Sequence, residues 1–309
     1  MKKDVNKVKK IKKNKYAGTK INPSRFHVSQ LKFYAFLLPL AAFMALPIVF
    51  VLSNAFKPMD ELFTYPPTFF VRNPTMLNFN KLIRTAGDTN IPASRYIFNT
   101  LSITVLTIVI TLLLSVMAGY ALSKKNFKIK KVLFEINTLA LMFVPIAVAV
   151  PRYLIMVNLK LVDTFIANVI PLVVTPVGVF LIKQFVDTIP DALLEAARMD
   201  GANDIYILRS IIVPLAMPAL ATVAILSFQS SWGSLEASQL YINNEALKSF
   251  AYYLRTFIAS VDTMRDGGIR VATAGMAAAS ALIMFVPNLI IFVFMQSRVM
   301  NTMAHSGIK

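Results

Sequence analysis

Residues 195–204, EAARMDGAND, form a charged, glycine-containing stretch between two apolar runs of the chain. Most of the residues that follow Pro190 favour helix. Pro190 itself suits the first turn of a helix, because proline has no N–H to leave unpaired there. Gly201 suits the position just after a helix end, where the backbone often turns left-handed. The pattern predicts a short helix over about 190–201.

The residues around this helix allow two interpretations. Asp191 complements the positive end of the helix dipole, and Asn203 is expected to cap a second short helix. Leu193, Leu194 and Ala197 give the first helix an apolar side. The helix is then either a docking surface for another protein or an interfacial helix lying on a membrane. Interfacial helices normally carry Lys and Arg on the polar face, whereas this one is mainly acidic.

The composition identifies the class of protein. Of the 309 residues, 56% are hydrophobic and 15% are charged, against about 45–50% and about 25% in soluble domains. Such a chain has too little polar surface for water, so its expected solvent is a lipid bilayer. Cysteine is missing from the sequence, which excludes disulfides and thiolate metal sites. No glycine is followed by lysine, so the chain lacks a phosphate-binding P-loop of its own.

Six transmembrane helices are predicted, because a span needs ~20 largely apolar residues. The predicted spans are 33–56, 96–123, 132–157, 164–182, 210–235 and 271–297. Glu135 and Arg152 interrupt the third span near its ends, where charged side chains can reach the headgroups. Pro145 and Pro151 either break that span locally, which frees carbonyls towards a cavity, or only kink it.

The distribution of Lys and Arg predicts the topology. The net charge is +17, and much of the excess lies before residue 33 and in the stretch SKKNFKIKK. Basic segments beside spans mark the cytoplasmic side and argue against nucleic-acid binding. We therefore expect both termini inside and the first span kept as an anchor rather than cleaved. The predicted parts are a basic segment 1–32, a six-helix domain 33–300, a tail 301–309, outer loops 57–95, 158–163 and 236–270, and an inner loop 187–209.

The inner loop carries a resemblance to a known family. Glu195-Ala196-Ala197, then Gly201, then Ile211-Ile212-Val213-Pro214 resemble the EAA motif of ABC importer permeases. Val213 departs from the leucine of that pattern, and Asp200 fits the carbohydrate branch. FNTL (98–101), residues 144–164 and GIK (307–309) extend the likeness to the smaller, maltose-type sugar permeases. Residues 252–264 and 300–309 look like a branch that handles complex oligosaccharides.

The resemblance implies a fold, partners and a mechanism. It implies a type I importer permease fold in a bacterial cell membrane. The inner loop 187–209 is then a coupling segment, whose coupling helix at about 190–201 docks on a separate ATPase subunit. The implied docking residues are Glu195, Ala196, Ala197, Arg198, Asp200 and Gly201. The implied partners are a second homologous permease in a heterodimer, two ATPase subunits and an extracellular sugar-binding protein. ATP and Mg would bind to the ATPase subunits, and this chain itself would hold no cofactor and catalyse no reaction.

Polar and aromatic residues in the spans are candidates for the translocation pathway. They are Asn99, Arg152, Tyr153, Gln229, Ser231 and Trp232. Trp232 is favoured as an interfacial anchor, with sugar stacking or contact with the binding protein as the alternative. Asn99 either faces a cavity or bonds between helices. Arg152 either snorkels to the headgroups or binds an acidic sugar or an acidic side chain of the binding protein.

Two other function classes remain as alternatives. An ion-coupled secondary transporter predicts paired acids at the bilayer midplane, and none is visible in the sequence. A membrane enzyme predicts a catalytic cluster, and the two histidines, His27 and His305, lie far apart in sequence. The aromatic residues of the third outer loop, Tyr241, Tyr252, Tyr253 and Phe257, are expected to pack against that loop's own helix rather than stack on sugar.

Overall fold

A computed structural model describes residues 31–62, 64–84, 91–263 and 267–306. Most of the predicted basic segment 1–32 and the last residues of the predicted tail lie outside the described residues. The chain divides into two compact units, one ending at Phe50 and the other beginning at Val51. All the packing presented below belongs to the second unit.

Within the described residues, three helices are individually long and apolar enough to cross a membrane. They are α1 (Leu31–Phe56), α4 (Ala93–Lys124) and α15 (Gly267–Ser306). The last helix runs beyond the predicted span 271–297 and includes part of the predicted tail. Two short helices, α2 (Met59–Leu62) and α3 (Leu77–Arg84), lie in the predicted first outer loop.

The third, fourth and fifth predicted spans are bent pairs of helices rather than single helices. The third consists of α5 (Lys130–Ala140) and, after a 3₁₀ turn at Pro145–Val148, α6 (Ala149–Asn158), with a bend of 113°. The fourth consists of a 3₁₀ turn at Phe165–Asn168, α7 (Ile170–Val173) and α8 (Pro176–Asp187), with a bend of 44°. If each pair is one span, the residues that the structure describes contain six spans, the number predicted.

The fifth span combines a π-helical turn with a bend. It begins with α10 (Asp204–Ile207), continues through a π-helical turn at Leu208–Ile212 and α11 (Val213–Leu215), and bends by 81° before α12 (Met217–Trp232). Proline stands in the first turn after each of the three breaks, at Pro145, Pro176 and Pro218. Its missing N–H is harmless at those positions. Pro151 is the third residue of α6, which follows the 3₁₀ turn directly, so the break predicted at Pro145 or Pro151 lies before Pro145.

The remaining helices complete the coupling segment and the predicted third outer loop. They are α9 (Asp191–Met199), α13 (Glu236–Leu240), a 3₁₀ turn at Glu245–Leu247 and α14 (Phe250–Thr263). The loop predicted at 236–270 is thus largely helical, because its alternation of apolar and polar residues suits helices that pack on the spans.

Helix α4 lies at the centre of the packing and contacts α8 and α12. One face of α4 carries small hydroxyl residues that are buried, namely Thr104, Thr107, Thr111 and Ser115. Gly119 continues this face, and a Cβ there would lie only 2.7 Å from Cγ2 of Ile182 on α8. Small residues of this kind let helix backbones approach closely. Helices α4 and α8 therefore meet almost backbone to backbone.

Candidate functional site: the coupling segment and the opposite end of the spans

Helix α9 forms where the sequence predicts it. Pro190 occupies the N-cap, with φ −59° and ψ 135°, and Asp191 begins the helix. Pro190 was predicted to lie in the first turn, but the helix starts one residue later, at Asp191. The proline has an extended backbone conformation and immediately precedes the first turn. Arg198 lies in the last turn, where a positive charge complements the helix dipole.

The end of α9 is defined by Gly201. This residue has φ +86°, a left-handed conformation that favours glycine. Its N–H donates to the carbonyl of Arg198 at 3.0 Å, and the next N–H, from Ala202, donates to the carbonyl of Ala197 at 2.9 Å. This pair of bonds is the Schellman arrangement, which satisfies carbonyls left over at a helix end. The predicted role of Gly201 in the turn is confirmed.

Asn203 caps the next helix, as predicted. Its side-chain Oδ1 accepts a hydrogen bond from the N–H of Tyr206 at 2.8 Å. The turn between α9 and α10 is thus bonded on both sides, by the Schellman bonds before it and by the cap after it. A turn bonded in this way fixes the direction of α9 relative to the start of the fifth span.

One side of α9 is seated in a hydrophobic cluster. Leu194 is buried, and Ala197, one turn further, is half-buried against the same cluster. The cluster joins side chains of α4, α8, α9 and the bent fifth span: Val116, Tyr120, Ile182, Val186, Ile189, Leu194, Ile207, Ile212, Ala216, Ala219, Leu220 and Val223. Because all these helices share one core, α9 is attached to several spans at once.

The opposite side of α9 is exposed. It presents Glu195, Ala196 and Arg198 of the predicted docking set, and Asp200 and Gly201 follow at its end. Ala197 of that set lies on the inward side instead. Leu193 was predicted to share an apolar side with Leu194, but it is exposed instead. Met199 is 88% exposed. These two apolar side chains are additional candidates for a docking surface that the motif alone does not indicate.

Lysines at the end of α4 tie the coupling segment to the spans. The Nζ of Lys124 lies 2.7 Å from Oδ1 of Asp191 and donates to the carbonyl of Ile189 at 2.6 Å. The Nζ of Lys125 lies 2.5 Å from Oδ1 of Asp204. The hydrogen bond from Lys124, together with its charge, lowers the pKa of Asp191 below the usual value of 3.8. The sequence did not reveal these pairs, which join residues more than sixty positions apart.

At the other end of α4, Asn99 is engaged by the protein itself. It is buried, and its Nδ2 donates to the carbonyls of Ala246 at 2.8 Å and Lys248 at 2.9 Å. Of the two predicted roles, cavity lining and bonding between elements, this geometry corresponds to the second. The amide hydrogens of Asn99 are thus directed at the backbone between α13 and α14.

Arg152 and Tyr153 lie at the start of α6 and face the segment that follows α12. Nη1 of Arg152 lies 3.2 Å from Oε1 of Glu236, and both side chains are partly exposed. The ring of Tyr153 stacks on that of Tyr241, with centroids 6.1 Å apart. Arg152 is therefore paired within the chain, an arrangement that neither snorkelling nor binding of an acidic ligand anticipated.

The three candidates at the end of α12 differ in exposure. Gln229 is exposed, whereas Ser231 is buried and donates to the carbonyl of Ser227 at 2.7 Å. Trp232 is only 8% exposed; it stacks on Phe228 and donates from Nε1 to the carbonyl of Met284 at 3.1 Å. The favoured interpretation of Trp232 as an interfacial anchor does not match this burial, and neither does an open ring for sugar. Trp232 joins α12 to α15.

The aromatic residues of the predicted third outer loop pack inward. Tyr241 and Tyr253 are buried, and Tyr253 stacks on Tyr96 of α4 with centroids 4.8 Å apart. Phe257 stacks on Tyr253 in turn. Only the stack of Phe257 on Tyr253 lies within the loop's own helix, as expected; Tyr253 also packs on α4, and Tyr241 packs on Tyr153 of α6.

Comparison with known proteins identifies the family. Residues 111–297, more than half of the chain, match the family described as Binding-protein-dependent transport system inner membrane component. The chain belongs to this family of transport permeases. The family assignment of the EAA motif and the membrane location of the chain are thereby confirmed. The permease contains the whole coupling segment within the matched residues.

Individual relatives extend the match over most of the permease. The Arabinooligosaccharides transport system permease protein AraQ of Bacillus subtilis is 26% identical over 286 residues, covering 92% of this chain and 98% of that protein. The Sulfoquinovosyl glycerol transport system permease protein SmoH of Agrobacterium fabrum is 26% identical and covers 85% of this chain and 88% of that protein. These similar proteins are transport permeases rather than enzymes.

A solved structure confirms the fold of the permease. A chain in the crystal structure of a bacterial ABC transporter involved in import of the acidic polysaccharide alginate superposes with a TM-score of 0.75 and 24% sequence identity. The superposition covers 89% of this permease and 99% of that chain. The predicted importer-permease fold is thereby confirmed.

Proposed function

We propose that this permease is the membrane subunit of an ABC importer for a carbohydrate, and that the carbohydrate is an oligosaccharide. The support comes from the named substrates of its relatives, which are arabinooligosaccharides for one and a sulfosugar glycerol compound for another. A third similar protein, YtcP of Bacillus subtilis, is named for polygalacturonan and rhamnogalacturonan transport. All three substrates contain sugar residues.

The energy source in this proposal is a pair of separate ATPase subunits, which would hold ATP and Mg. The exposed side of α9 offers Glu195, Ala196, Arg198 and Asp200, and it adds the apolar side chain of Met199. A helix surface with small side chains and a few charged ones lets another protein approach closely, and therefore suits insertion into a cleft of that protein. Ala197 supports the contact from the inward side, and Gly201 supplies the turn that follows.

The seating of α9 explains how a push on it would reach the membrane. Leu194 lies in a core shared with α4, α8 and the fifth span, and close-packed interiors transmit displacement because they compress little. Movement of α9 with its ATPase subunit would therefore tilt the attached spans. The pathway would then alternate between outward and inward access, with nucleotide binding shifting the populations.

The candidate pathway residues contribute to this proposal in two ways. Gln229 and Tyr153 are exposed and are proposed to meet the sugar directly, with Arg152 beside them in its pair with Glu236. Asn99, Ser231 and Trp232 are buried and are proposed to shape the pathway from behind.

The proposed assembly completes the pathway. A second, homologous permease forms a heterodimer with this chain, and an extracellular sugar-binding protein delivers the substrate. The complex lies in a bacterial plasma membrane, with both termini in the cytoplasm and the coupling segment on the same side.

The exposed acidic side chain of Glu195, on a helix anchored in the shared core, is the observation that carries the proposal. We expect Glu195→Lys to abolish copurification of the ATPase subunits while the membrane level of the permease persists. Asp60→Lys, a charge reversal at an exposed acid outside the coupling segment, is the matched control and should retain them. Normal ATPase association and uptake in the Glu195 variant would remove the docking assignment.

A further inference from the structure

Three consecutive backbone carbonyls between α13 and α14 are held by two asparagine side chains. Nδ2 of Asn99 donates to the first and third, Ala246 at 2.8 Å and Lys248 at 2.9 Å. Nδ2 of Asn168 donates to the middle one, Leu247, at 3.0 Å. Both asparagines are 1% exposed. A buried carbonyl without a partner is costly, so these bonds fix the path of the chain there.

Neighbouring hydroxyls complete the attachment of this stretch. Oγ1 of Thr100 accepts the N–H of Phe250 at 2.7 Å, and Oγ of Ser238 accepts the N–H of Ser249 at 2.9 Å. Oγ of Ser238 in turn donates to Oδ1 of Asn168 at 3.0 Å. We call residues 246–250 the clamped segment, which runs from the 3₁₀ turn to the first residue of α14. Its backbone is held by side chains of α4, of α13 and of the fourth span.

The same helix that supplies Asn99 and Thr100 also holds the coupling segment at its other end. Lys124 pairs with Asp191, and Lys125 pairs with Asp204. The two attachments are about 36 Å apart along the helix axis, because α4 rises ~1.5 Å per residue between positions 100 and 124. Helix α4 runs unbroken from Ala93 to Lys124.

The other spans that touch the coupling segment are broken between their ends. The fourth bends by 44° at the start of α8, and the fifth bends by 81° before α12. A bend concentrates movement at a few backbone positions, whereas a continuous hydrogen-bonded helix moves as one piece. Of the spans packed around α9, α4 is thus the one suited to rigid transmission.

We propose that α4 is a rigid link that makes the clamped segment and the coupling segment move as one body, with Asn99 as its positioning residue at one end and Lys124 and Lys125 at the other. The inference deepens the proposed function and rests on it for the displacement of the coupling segment by nucleotide. It adds that this displacement reaches the backbone between α13 and α14 directly, through a contiguous chain of side-chain bonds and one helix.

The absence of cysteine from the sequence makes a direct test practical. Spin labels placed on Asn243→Cys and Ile205→Cys, both exposed positions, report the distance between the two ends of the link in the reconstituted complex. We expect a narrow distance distribution whose peak moves by less than about 2 Å, the size of a small helix shift, between nucleotide-free and ATP-bound samples. A movement of one helical turn, about 5.4 Å or more, would overturn the link.

Variants at the clamp separate positioning from mere stability. Asn99→Leu keeps a similar volume but removes both hydrogen bonds, so it should broaden the distribution or add a second peak. Asn168→Leu removes the middle bond and should broaden it less. Asn137→Leu is the matched control, because Asn137 also bonds a carbonyl across spans, that of Pro176 at 3.2 Å, but lies outside the link. It should leave the distribution narrow.

The outcomes distinguish this inference from the proposed function. If neither clamp variant changes the distribution relative to the Asn137 control, α4 does not position the clamped segment and the inference is wrong. The nucleotide-free samples give this answer without reference to transport. If the wild-type complex lacks ATPase stimulation by a sugar-loaded binding protein, the proposed function fails while the nucleotide-free result for the link stands.

Discussion

Lys124 and Asp191 form an ion pair in which the lysine is the enclosed partner and the aspartate the exposed one. Their Nζ and Oδ1 atoms are 2.7 Å apart, with side-chain exposures of 8% and 74%. The same Nζ donates to the carbonyl of Ile189 at 2.6 Å. The lysine therefore holds both the entry to α9 and its first residue, whereas the aspartate contributes one exposed contact.

This asymmetry predicts unequal effects of substitution. Lys124→Met should lower the free energy of unfolding by about 1–3 kcal/mol, because the carbonyl of Ile189 loses a charged donor in a place of limited solvent access. Asp191→Asn should have a smaller effect, because exposed ion pairs contribute little. Thermal unfolding of the two detergent-solubilised variants gives the comparison. Equal effects of the two substitutions would mean that α9 is anchored by the ion pair and not by the hydrogen bond from Lys124 to the carbonyl of Ile189.

The pH dependence of this contact follows from its lowered pKa. The hydrogen bond from Lys124 depresses the pKa of Asp191 below 3.8 in the folded state. As the pH falls, Asp191 binds a proton in the unfolded chain before it does so in the folded protein. The stabilisation is therefore complete above the pKa of the unfolded state and is lost as the pH falls through the lower pKa of the folded state. The difference in unfolding midpoint between wild type and Asp191→Asn should be constant near neutral pH and shrink below about 3.8. A difference that grows on acidification would contradict the pairing.

Gly201 and Gly233 provide a matched pair for testing the turn after α9. A Cβ at either position would meet nothing within 4 Å, but Gly201 has φ +86° whereas Gly233 has φ −96°. Gly201→Ala should therefore cost about 1–2 kcal/mol through backbone strain alone, and Gly233→Ala should be close to neutral. Unfolding midpoints measure both. We also expect Gly201→Ala to reduce coupled ATPase activity, because the direction of α9 depends on this turn.

The coupling segment is the part that sequence predicts best, and its physics explains why. The start and end of a helix depend on residues that are neighbours in sequence. The role of Gly201 at the end of α9 and the cap by Asn203 can therefore be predicted from the sequence. The link from Asn99 to Ala246 joins residues 147 positions apart. No local pattern encodes such a partner, and the sequence left Asn99 with two possible roles.

The third span breaks before Pro145, as one of the two readings of that proline predicted, but the bends of the fourth and fifth spans were not predicted, for a different reason. Apolar content alone defines a predicted span, and it continues through the breaks before Pro145 and Pro176. A proline in the first turn of a helix and a proline within a helix give the same letter in the sequence. Pro39 and Pro47, inside α1, show why the residue type does not locate a break. Trp232 likewise gave no sign that α15 covers it.

The pair of Arg152 and Glu236 predicts a rescue by charge exchange. Arg152→Glu alone places two acids together and should reduce uptake, since like charges in contact repel. The double variant Arg152→Glu with Glu236→Arg should recover most of it, because the 3.2 Å contact is re-formed with reversed polarity. Initial uptake rates at equal membrane levels provide the comparison. If Arg152 instead binds an acidic group of the sugar, the exchange will not restore uptake.

Trp232→Phe should separate packing from sugar binding. Phenylalanine keeps the stacking on Phe228 but removes the bond from Nε1 to the carbonyl of Met284, which is 3.1 Å long. We expect a loss of about 1 kcal/mol in the free energy of unfolding, with no change in the sugar concentration that gives half-maximal uptake, because the ring is buried. Gln229 lies in the last turn of α12 and is exposed. Gln229→Leu should therefore behave in the opposite way, with unchanged stability and a raised sugar concentration for half-maximal uptake. A raised half-maximal concentration in Trp232→Phe at unchanged stability would place the indole against the sugar and return Trp232 to the pathway.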